Sequence, residues 1–359
     1  MLVLISLLFS SSVYSKQVVN ALYIPLADHY AALVAYERYG QQMKHADFQI
    51  EQMKSWDLLR AKFQAGLADM AYVMSPLAMQ MYMDQPDFRW IGLMHRDGNA
   101  LAINELLRKR IKLPADRSER KPDASVADAL RQAHQDTGQS TEIGMPHLQS
   151  THTVVLYRYL KEHGLSLGLQ PDSRNEVLAI SVAPPRSPVF IKGQSNRARA
   201  AAFQQSLPWA DIVEARGFGH VAWYSKDVMP WPSGHVECIT LATDKAIAEK
   251  EAALREVMHY IHEAGADIEM ARWQGGEAMQ EIVSIVRKHI PAHSKAAIIA
   301  SLDPRLKVIN YLNLNVDKAG LKQIMDYAVE GNILKRTIDI DEFADTRFSV
   351  EMLNSGQVQ

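Results

Sequence analysis

Four hydroxyl side chains stand at the expected starts of helices. They are Ser55, which precedes Trp56, then Ser75, which precedes a proline, and the adjacent pair Ser150 and Thr151. The first backbone N–H groups of a helix have no partner within it, so these positions favour an anion or another polar ligand. The same patterns are typical of plain helix capping, and Trp56 could equally be a side chain packed in the core.

Three more polar side chains lie near such turns. His152 follows the pair Ser150 and Thr151. Its imidazole favours an anion when protonated and donates or accepts a hydrogen bond when neutral. Asn99 follows Gly98 in an expected tight turn. Asp28 stands at the expected start of the first helix, where a carboxylate is typical of an N-cap. All three are candidate ligand-binding residues, with a surface histidine, a plain turn and a plain cap as the alternatives.

The common motifs of enzymes and metal sites are missing from the sequence. It contains no glycine-rich phosphate loop, no G-x-S-x-G and no H-E-x-x-H. Cys238 lies in the apolar segment CITLA, which indicates buried core rather than a nucleophile. His220, His235 and Glu237 match no usual zinc spacing. The sixteen methionines are typical of core packing. We therefore predict no catalytic residue, no metal ion and no cofactor.

Strands and helices alternate along the chain and must position these residues. Apolar runs predict early strands at 18–24, 48–53, 68–74 and 89–96, with helices from residue 28 to 40, from 55 to 66 and after 75. A charge-rich stretch at 105–139 interrupts this rhythm. A second α/β unit follows, and a strand at 236–243 leads into a long helical region at 243–300. The β-α-β rhythm predicts parallel sheets covered by helices.

Composition limits the classes of protein and partner. The 359 residues suggest about two domains, and the single cysteine excludes a disulfide framework within the chain. A formal net charge of −2 argues against a dedicated nucleic-acid binder. The bases of the charge-rich stretch stand among acidic residues and lack interleaved aromatics, so we predict a solvated crossing and a surface helix there, with no nucleic-acid partner.

Residues 1–15 are typical of a secretory signal peptide. An apolar run at 2–9 precedes Val13 and Ser15, which fit the small-x-small pattern of a cleavage site. The run is shorter than the roughly 20 residues that span a bilayer. No cysteine follows the run to carry a lipid anchor. We therefore expect a soluble periplasmic protein; the alternative is a buried first strand.

The order of several segments resembles periplasmic binding proteins for nitrate, bicarbonate and aliphatic sulfonates. The segments are IPLADHYAALVAYERYG, MKSWDLLRAKFQAGLADMAYVMSPLAMQM, GLMHRDGNALAI, MPHLQSTHTVVLYRYLKEHGL and DVMPWPSGHVECITLA, within a resemblance that covers residues 18–348. It implies two α/β lobes, joined by a hinge, around a central ligand cleft (type II). On this basis residues 16–105 with 236–359 form lobe 1, and 106–235 form lobe 2.

The resemblance also implies two further site residues and exposes two departures. Gln205 and Trp209 flank a turn that commonly reads Glu-Pro-Trp in the family, but Leu207 replaces the glutamate here. Nitrate and bicarbonate binders carry a lysine in the return strand that this sequence lacks. His235 could replace its charge only when protonated. The charge of the ligand therefore stays open.

The expected function is capture of a small polar ligand for an ABC importer. The partners would be that ligand and a permease in the inner membrane, and the protein would be a monomer. One alternative is a periplasmic sensor subunit that signals to a membrane receptor. A weaker alternative is an enzyme on the same fold, similar to pyrimidine-precursor synthases. Those enzymes carry a cysteine-rich motif, which a chain with one cysteine cannot match.

Overall fold

The computed structural model describes residues 15–171 and 174–351, so nearly all of the proposed signal peptide lies outside the described residues. The strands are β1 (Gln17–Tyr23), β2 (Ala46–Gln52), β3 (Met70–Met74), β4 (Phe88–Leu93), β5 (Arg96–Asp97), β6 (Asn99–Ile103), β7 (Thr141–Met145), β8 (Leu167–Gly168), β9 (Val177–Ser181), β10 (Ala201–Ser206), β11 (His220–Tyr224), β12 (Cys238–Thr243) and β13 (Ile309–Asn310).

The α-helices alternate with these strands and then dominate the C-terminal third. They are α1 (Tyr30–Val34), α2 (Trp56–Gln64), α3 (Ser75–Asp84), α4 (Glu105–Arg108), α5 (Ala124–Thr137), α6 (Thr151–Glu162), α7 (Ser187–Asn196), α8 (Trp209–Ala215), α9 (Ser225–Val228), α10 (Asp244–Gln274), α11 (Gly276–His289), α12 (Lys295–Ser301), α13 (Lys318–Glu330) and α14 (Ile340–Phe343). Among the described residues, no helix is both long and apolar enough to cross a membrane.

The first sheet has the strand order β2-β1-β3-β12-β4. β1 runs parallel to β2 and β3, as predicted, but β12 runs antiparallel to both β3 and β4. The four early strands therefore run in one direction, as predicted, and the return strand β12 makes the sheet mixed. β12 is antiparallel because it begins at the edge of the sheet where β3 and β4 end, after an excursion of the chain through the second sheet.

The second sheet has the order β11-β6-β10-β7-β9-β8. β7 runs parallel to β9 and β10, whereas β6 is antiparallel to β10 and β11. β6 thus starts at an edge where β10 ends. The sequence-based division placed β6 in lobe 1, at 16–105, but its pairing places it in the second sheet. The lobe bounds themselves stay a prediction.

Two chain segments cross between the sheets side by side. Arg96 in the first crossing pairs with Val236 in the second, and the N–H of Asp97 donates to the His235 carbonyl at 3.0 Å. Gly234 has φ +79°, and a Cβ there would lie 2.4 Å from Asp97 Oδ2. Both the backbone conformation and the close contact therefore require glycine at this position.

Local capping sets the helix starts that matter for the site. Ser55 Oγ accepts from Leu58 N at 3.3 Å and Ser150 Oγ from Thr153 N at 3.1 Å, which confirms both predicted caps. The predicted cap role of Asp28 was wrong. α1 begins two residues later, without a side-chain cap, because Asp28 lies in a 3₁₀ turn that aims its carboxylate elsewhere.

The charge-rich stretch at 105–139 connects two strands of the second sheet, so the predicted crossing was wrong, and ion pairs hold it rather than leaving a basic patch. Arg120 is buried; its guanidinium donates to Glu214 Oε2 and to the Val221 carbonyl, each at 2.7 Å. Arg117 pairs with Asp211. The predicted surface helix is α5. At the other end of the chain, α13 packs against both α3 and α6 and so contacts elements of both sheets.

Candidate functional site

A fully buried group of polar side chains lies between the two sheets, which we call the cleft cluster. Its members come from the turn after β1, from both crossings, and from the ends of β10 and α6 that face the first sheet. It consists of Asp28, His95, Asn99, His152, Ser206, His235, Glu237 and Cys238, and each has 0% exposure. Such a concentration of buried polar groups is costly unless every group finds a partner.

Asp28 is the first of two carboxyl groups in this cluster. Ser206 Oγ donates to its Oδ2 at 2.7 Å, while His95 Nε2 and Cys238 Sγ both lie 3.5 Å from the same oxygen. Burial raises the pKa of Asp28, but the neighbouring imidazoles, His95 foremost, lower it further, to about 2. Asp28 is therefore a carboxylate at neutral pH.

Glu237 is the second carboxyl group and behaves in the opposite way. Asn99 Nδ2 donates to its Oε2 at 2.9 Å, and His152 Nδ1 lies 3.3 Å from its Oε1. Burial, together with the negative charge of Asp28, holds the pKa of Glu237 well above its usual value. The two carboxyl groups are thus an ionised and a neutral member of one buried cluster.

Ser206 and His152 link the second sheet to this pair. His152 Nε2 lies 2.9 Å from Ser206 Oγ. Because Ser206 donates its proton to Asp28, His152 Nε2 must be the donor to Ser206, which leaves Nδ1 as an acceptor facing Glu237. Burial lowers the pKa of His152 to about 3, so the ring is neutral. A chain of hydrogen bonds therefore runs across the cleft between the lobes.

The structure brings most of the predicted site residues together. Asp28, Asn99, His152 and His235 belong to the cleft cluster. Ser75 Oγ lies 3.4 Å from the Thr151 hydroxyl, so the starts of α3 and α6 meet across the cleft, and Ser150 caps α6 beside them. Their role in ligand binding stays a prediction.

The remaining predicted residues lie around this cluster. Trp56 is buried and packs edge-on against His29 with ring centroids 6.1 Å apart; its indole N–H has no hydrogen-bond partner among the described residues. Trp209 donates its indole N–H to the Pro25 carbonyl at 3.1 Å. The Gln205 side chain donates to the Val182 carbonyl at 2.9 Å. The preceding residue on β10, Gln204, donates to the Asn99 side chain.

His235 cannot supply the positive charge that a lysine gives in nitrate and bicarbonate binders. Its Nε2 lies 3.5 Å from Asp97 Oδ1 and its Nδ1 lies 3.7 Å from Glu237 Oε2. Burial nevertheless lowers the pKa of His235. No lysine or arginine makes a hydrogen bond or ion pair with the cleft cluster within residues 15–171 and 174–351.

Sequence reasoning missed four residues of the cluster as ligand-binding candidates: His95, Ser206, Glu237 and Cys238. His95 lies two residues after the end of β4, and Ser206 ends β10, so both stand at strand ends where ligands of α/β sheets bind. That position was the signal that could have found them. The apolar run after Cys238 concealed its place at the first residue of β12, although the predicted burial is confirmed.

The lobes also touch outside the cluster. His147 Nε2 lies 3.6 Å from Asp57 Oδ1, and Gln149 Nε2 donates to Gln80 Oε1 at 3.1 Å. A groove of about 820 Å³ runs beside these contacts and is lined by Asp57, His147 and residues 331–333. The lobes therefore meet around the cleft cluster, which is shut off from water in this structure.

Comparison with known structures supports the fold. One similar structure is a ligand-binding component of an ABC-type import system from Staphylococcus aureus with zinc bound. It is 16% identical to this chain, with a TM-score of 0.70, and the alignment covers 93% of this chain and 98% of that protein. The nitrate-binding protein NrtA from Synechocystis PCC 6803 is 14% identical with a TM-score of 0.75, covering 93% and 87%. The aliphatic sulphonate binding protein SsuA from Escherichia coli is 13% identical with a TM-score of 0.64, covering 94% and 95%.

These likenesses confirm the predicted periplasmic-binding-protein fold of two α/β lobes. The desulfurization enzyme DSZB also shares it, with 11% identity and a TM-score of 0.55, covering 93% of this chain and 97% of its own. No curated protein sequence matches this chain significantly. The sequence pattern of the NMT1-like family matches residues 15–285, well over half of the chain. The chain therefore belongs to the NMT1-like family.

Proposed function

We propose that this protein captures a small polar solute between its lobes, outside the cytoplasm, and delivers it to an ABC importer. The observation that carries the proposal is the cleft cluster, to which both sheets and both crossings contribute side chains with 0% exposure. Such a site is accessible only when the lobes separate, and closure around a solute then buries it completely.

Unpaired polar atoms around the cluster indicate what the solute would do. Asp28 Oδ1, His95 Nδ1 and the Trp56 indole N–H make no hydrogen bond among the described residues. Each buried, unpaired polar atom costs about 1–3 kcal/mol. A solute that bonds to these atoms would offset this cost in the closed form, and would therefore favour closure.

The neighbouring structures support this role. The three binding proteins described above include a component of an ABC import system, a nitrate binder and a sulphonate binder. The proposed location is the periplasm, the proposed partner is a permease of the inner membrane, and we propose a monomer that binds its solute without turnover. No lysine or arginine of the described residues makes a hydrogen bond or ion pair with the cleft cluster, which makes nitrate or sulfonate a poor fit for this chain.

Calorimetry against nitrate, bicarbonate, aliphatic sulfonates, pyrimidine precursors and divalent cations would test the proposal. We expect one solute to bind with a 1:1 ratio and to reduce the radius of gyration in small-angle scattering. For a solute that accepts a hydrogen bond, Trp56→Phe should weaken binding up to about tenfold, because it removes one donor worth about 0.5–1.5 kcal/mol; a metal ion accepts no such bond and should bind the variant unchanged. Trp273→Phe, at an indole that is 60% exposed, is the matched control and should leave binding unchanged.

Two outcomes would contradict the proposal. One is a panel in which nothing binds and the radius of gyration stays constant. The other is a solute that binds while the radius of gyration stays constant, because the lobes would then not close around it. Product formation from the bound solute in a turnover assay would instead favour an enzyme.

A further inference from the structure

Three side chains of metal-binding type converge at one point of the cleft cluster. They are Asp28, His95 and Cys238, all with 0% exposure. One ligand atom of each lies within 4.8 Å of the other two. Asp28 Oδ2 lies 3.5 Å from Cys238 Sγ and 3.5 Å from His95 Nε2.

These separations match those around a tetrahedral metal ion. Zinc binds cysteine sulfur at about 2.3 Å and imidazole nitrogen or carboxylate oxygen at about 2.0–2.1 Å. At tetrahedral angles these bond lengths put an oxygen about 3.5 Å from a sulfur and about 3.3 Å from a nitrogen. The two distances from Asp28 Oδ2 therefore match those around a tetrahedral ion, and the third pair of ligand atoms lies within 4.8 Å.

The buried imidazole of His95 lacks the hydrogen bonds that a buried polar ring needs. Neither of its ring nitrogens makes a hydrogen bond among the described residues. A Cβ on Gly98 would lie 2.9 Å from His95 Nδ1, so the glycine leaves the space that the ring occupies. An ion bound to Nε2 would satisfy the nitrogen that faces Asp28 and Cys238.

The donor set and its charge favour a particular class of ion. Thiolate and imidazole ligands suit zinc and neighbouring transition metals, whereas calcium and magnesium prefer oxygen alone. The cluster has two carboxyl groups, and no lysine or arginine of the described residues makes a hydrogen bond or ion pair with it, which favours a cation over an anion. Ser206, from the second sheet, bonds to Asp28 at 2.7 Å and so closes the other lobe over the same point.

We propose that Asp28, His95 and Cys238 bind one divalent transition-metal ion of the zinc class, and that this ion is the solute held in the closed cleft. The second half of this statement rests on the proposed function. The first half stands on the geometry of the three side chains alone. A fourth position of the tetrahedron would remain for water or a further donor.

The test uses the full chain, freed of metal by a chelator and then titrated with zinc or cobalt(II). We expect one equivalent of zinc to bind, and cobalt(II) to give a near-ultraviolet thiolate-to-metal absorption band. Cys238→Ser should abolish that band. Cys238→Ser, Asp28→Asn and His95→Gln should each weaken zinc binding by about 100-fold or more, since loss of even an outer-shell partner costs about 10–100-fold. His220→Gln changes a surface imidazole that pairs with Glu105, and should bind zinc as the wild type does.

The results separate this inference from the proposed function. Wild-type protein that binds no zinc or cobalt, or gives a cobalt spectrum without the thiolate band, overturns the metal site even if every variant misfolds. If such protein binds nitrate or a sulfonate and becomes more compact, solute capture stands and the metal site fails. If zinc binds through the three residues but leaves the radius of gyration unchanged, the metal site stands and its role as captured solute fails.

Discussion

His293 should make the protein less stable in mild acid. The residue is fully buried between α11 and α12; its Nδ1 lies 2.9 Å from the Tyr30 hydroxyl, and its ring packs edge-on against Trp209 at 5.2 Å. Burial lowers the pKa of His293 to about 3. The unfolded chain has the ordinary histidine pKa, about 6.5.

The sign and size of the effect follow from these two values. Between pH 6.5 and 3 the unfolded state binds a proton at residue 293 that the folded state does not bind. The free energy of unfolding therefore falls as the pH falls, by about 1.4 kcal/mol per pH unit for this one group. From pH 7 to pH 5 the loss from His293 amounts to roughly 2 kcal/mol, out of a total stability of about 5–15 kcal/mol.

His293→Gln removes this proton-binding group and keeps a neutral side chain of similar size. At pH 7 the variant should be about 1 kcal/mol less stable than the wild type, because it loses the ring contact with Trp209. At pH 5 it should be about 1 kcal/mol more stable, because only the wild type has lost the contribution of residue 293. Urea unfolding followed by tryptophan fluorescence at pH 7, 6 and 5 measures both differences.

His45→Gln, at an exposed imidazole, is the control and should follow the wild type at all three pH values. Stability curves of the wild type and His293→Gln that run parallel from pH 7 to pH 5 would refute the reasoning. A parallel pair would mean that His293 binds its proton equally well in the folded state.

Three further substitutions test how the site is held in place. Ser150→Ala removes the cap of α6 and should lower the free energy of unfolding by about 1 kcal/mol; an unchanged urea midpoint would contradict the role of the cap. Gly234→Ala combines a positive φ with a steric clash and should lower the free energy of unfolding by about 2 kcal/mol or more. Gly66→Ala, at φ +68° in open space, should lower it by only about 1 kcal/mol. Equal losses would show that the clash at Gly234 relaxes freely. Arg120→Met should lower the free energy of unfolding by about 3 kcal/mol, because it leaves the partly buried Glu214 without its ion-pair partner. Arg110→Met removes an exposed ion pair and should lower it by less than about 1 kcal/mol. Thermal unfolding that ranks these two variants the other way would contradict the stabilising role of the buried Arg120.

Local features of the fold could be predicted from the sequence, because their causes are local. Ser55 and Ser150 cap their helices through residues three positions away, and apolar runs identify the strands that the sheets bury. Strand direction could not be predicted in the same way. β12 and β6 are antiparallel because the chain leaves and re-enters each lobe at the same edge, which no short window of sequence reveals.

The residues of the candidate site likewise divide into those that local sequence predicts and those that only the fold brings together. Thr151 and His152 were recognisable because a helix start beside a polar turn has a known chemistry. Asp28 was misread in part, as a cap. Cys238 was correctly predicted to be buried, but its polar neighbours were not predicted, because both residues look ordinary beside their sequence neighbours. Their significance depends on Cys238 lying 3.5 Å from an aspartate that is 210 residues away in the chain. Contacts over such separations are properties of the fold, not of a motif.

The position of β12 has a consequence for how the protein is made. This strand lies between β3 and β4, yet residues 94–237 separate it from β4 in the chain. During synthesis the first sheet therefore lacks the strand that joins β4 to β3 until the entire second lobe has emerged. β3 and β4 carry unpaired edges throughout that interval, and such edges invite pairing with other chains. A chaperone that shields these edges would thus reduce aggregation mainly before residue 243, the end of β12, has been synthesised, and little afterwards.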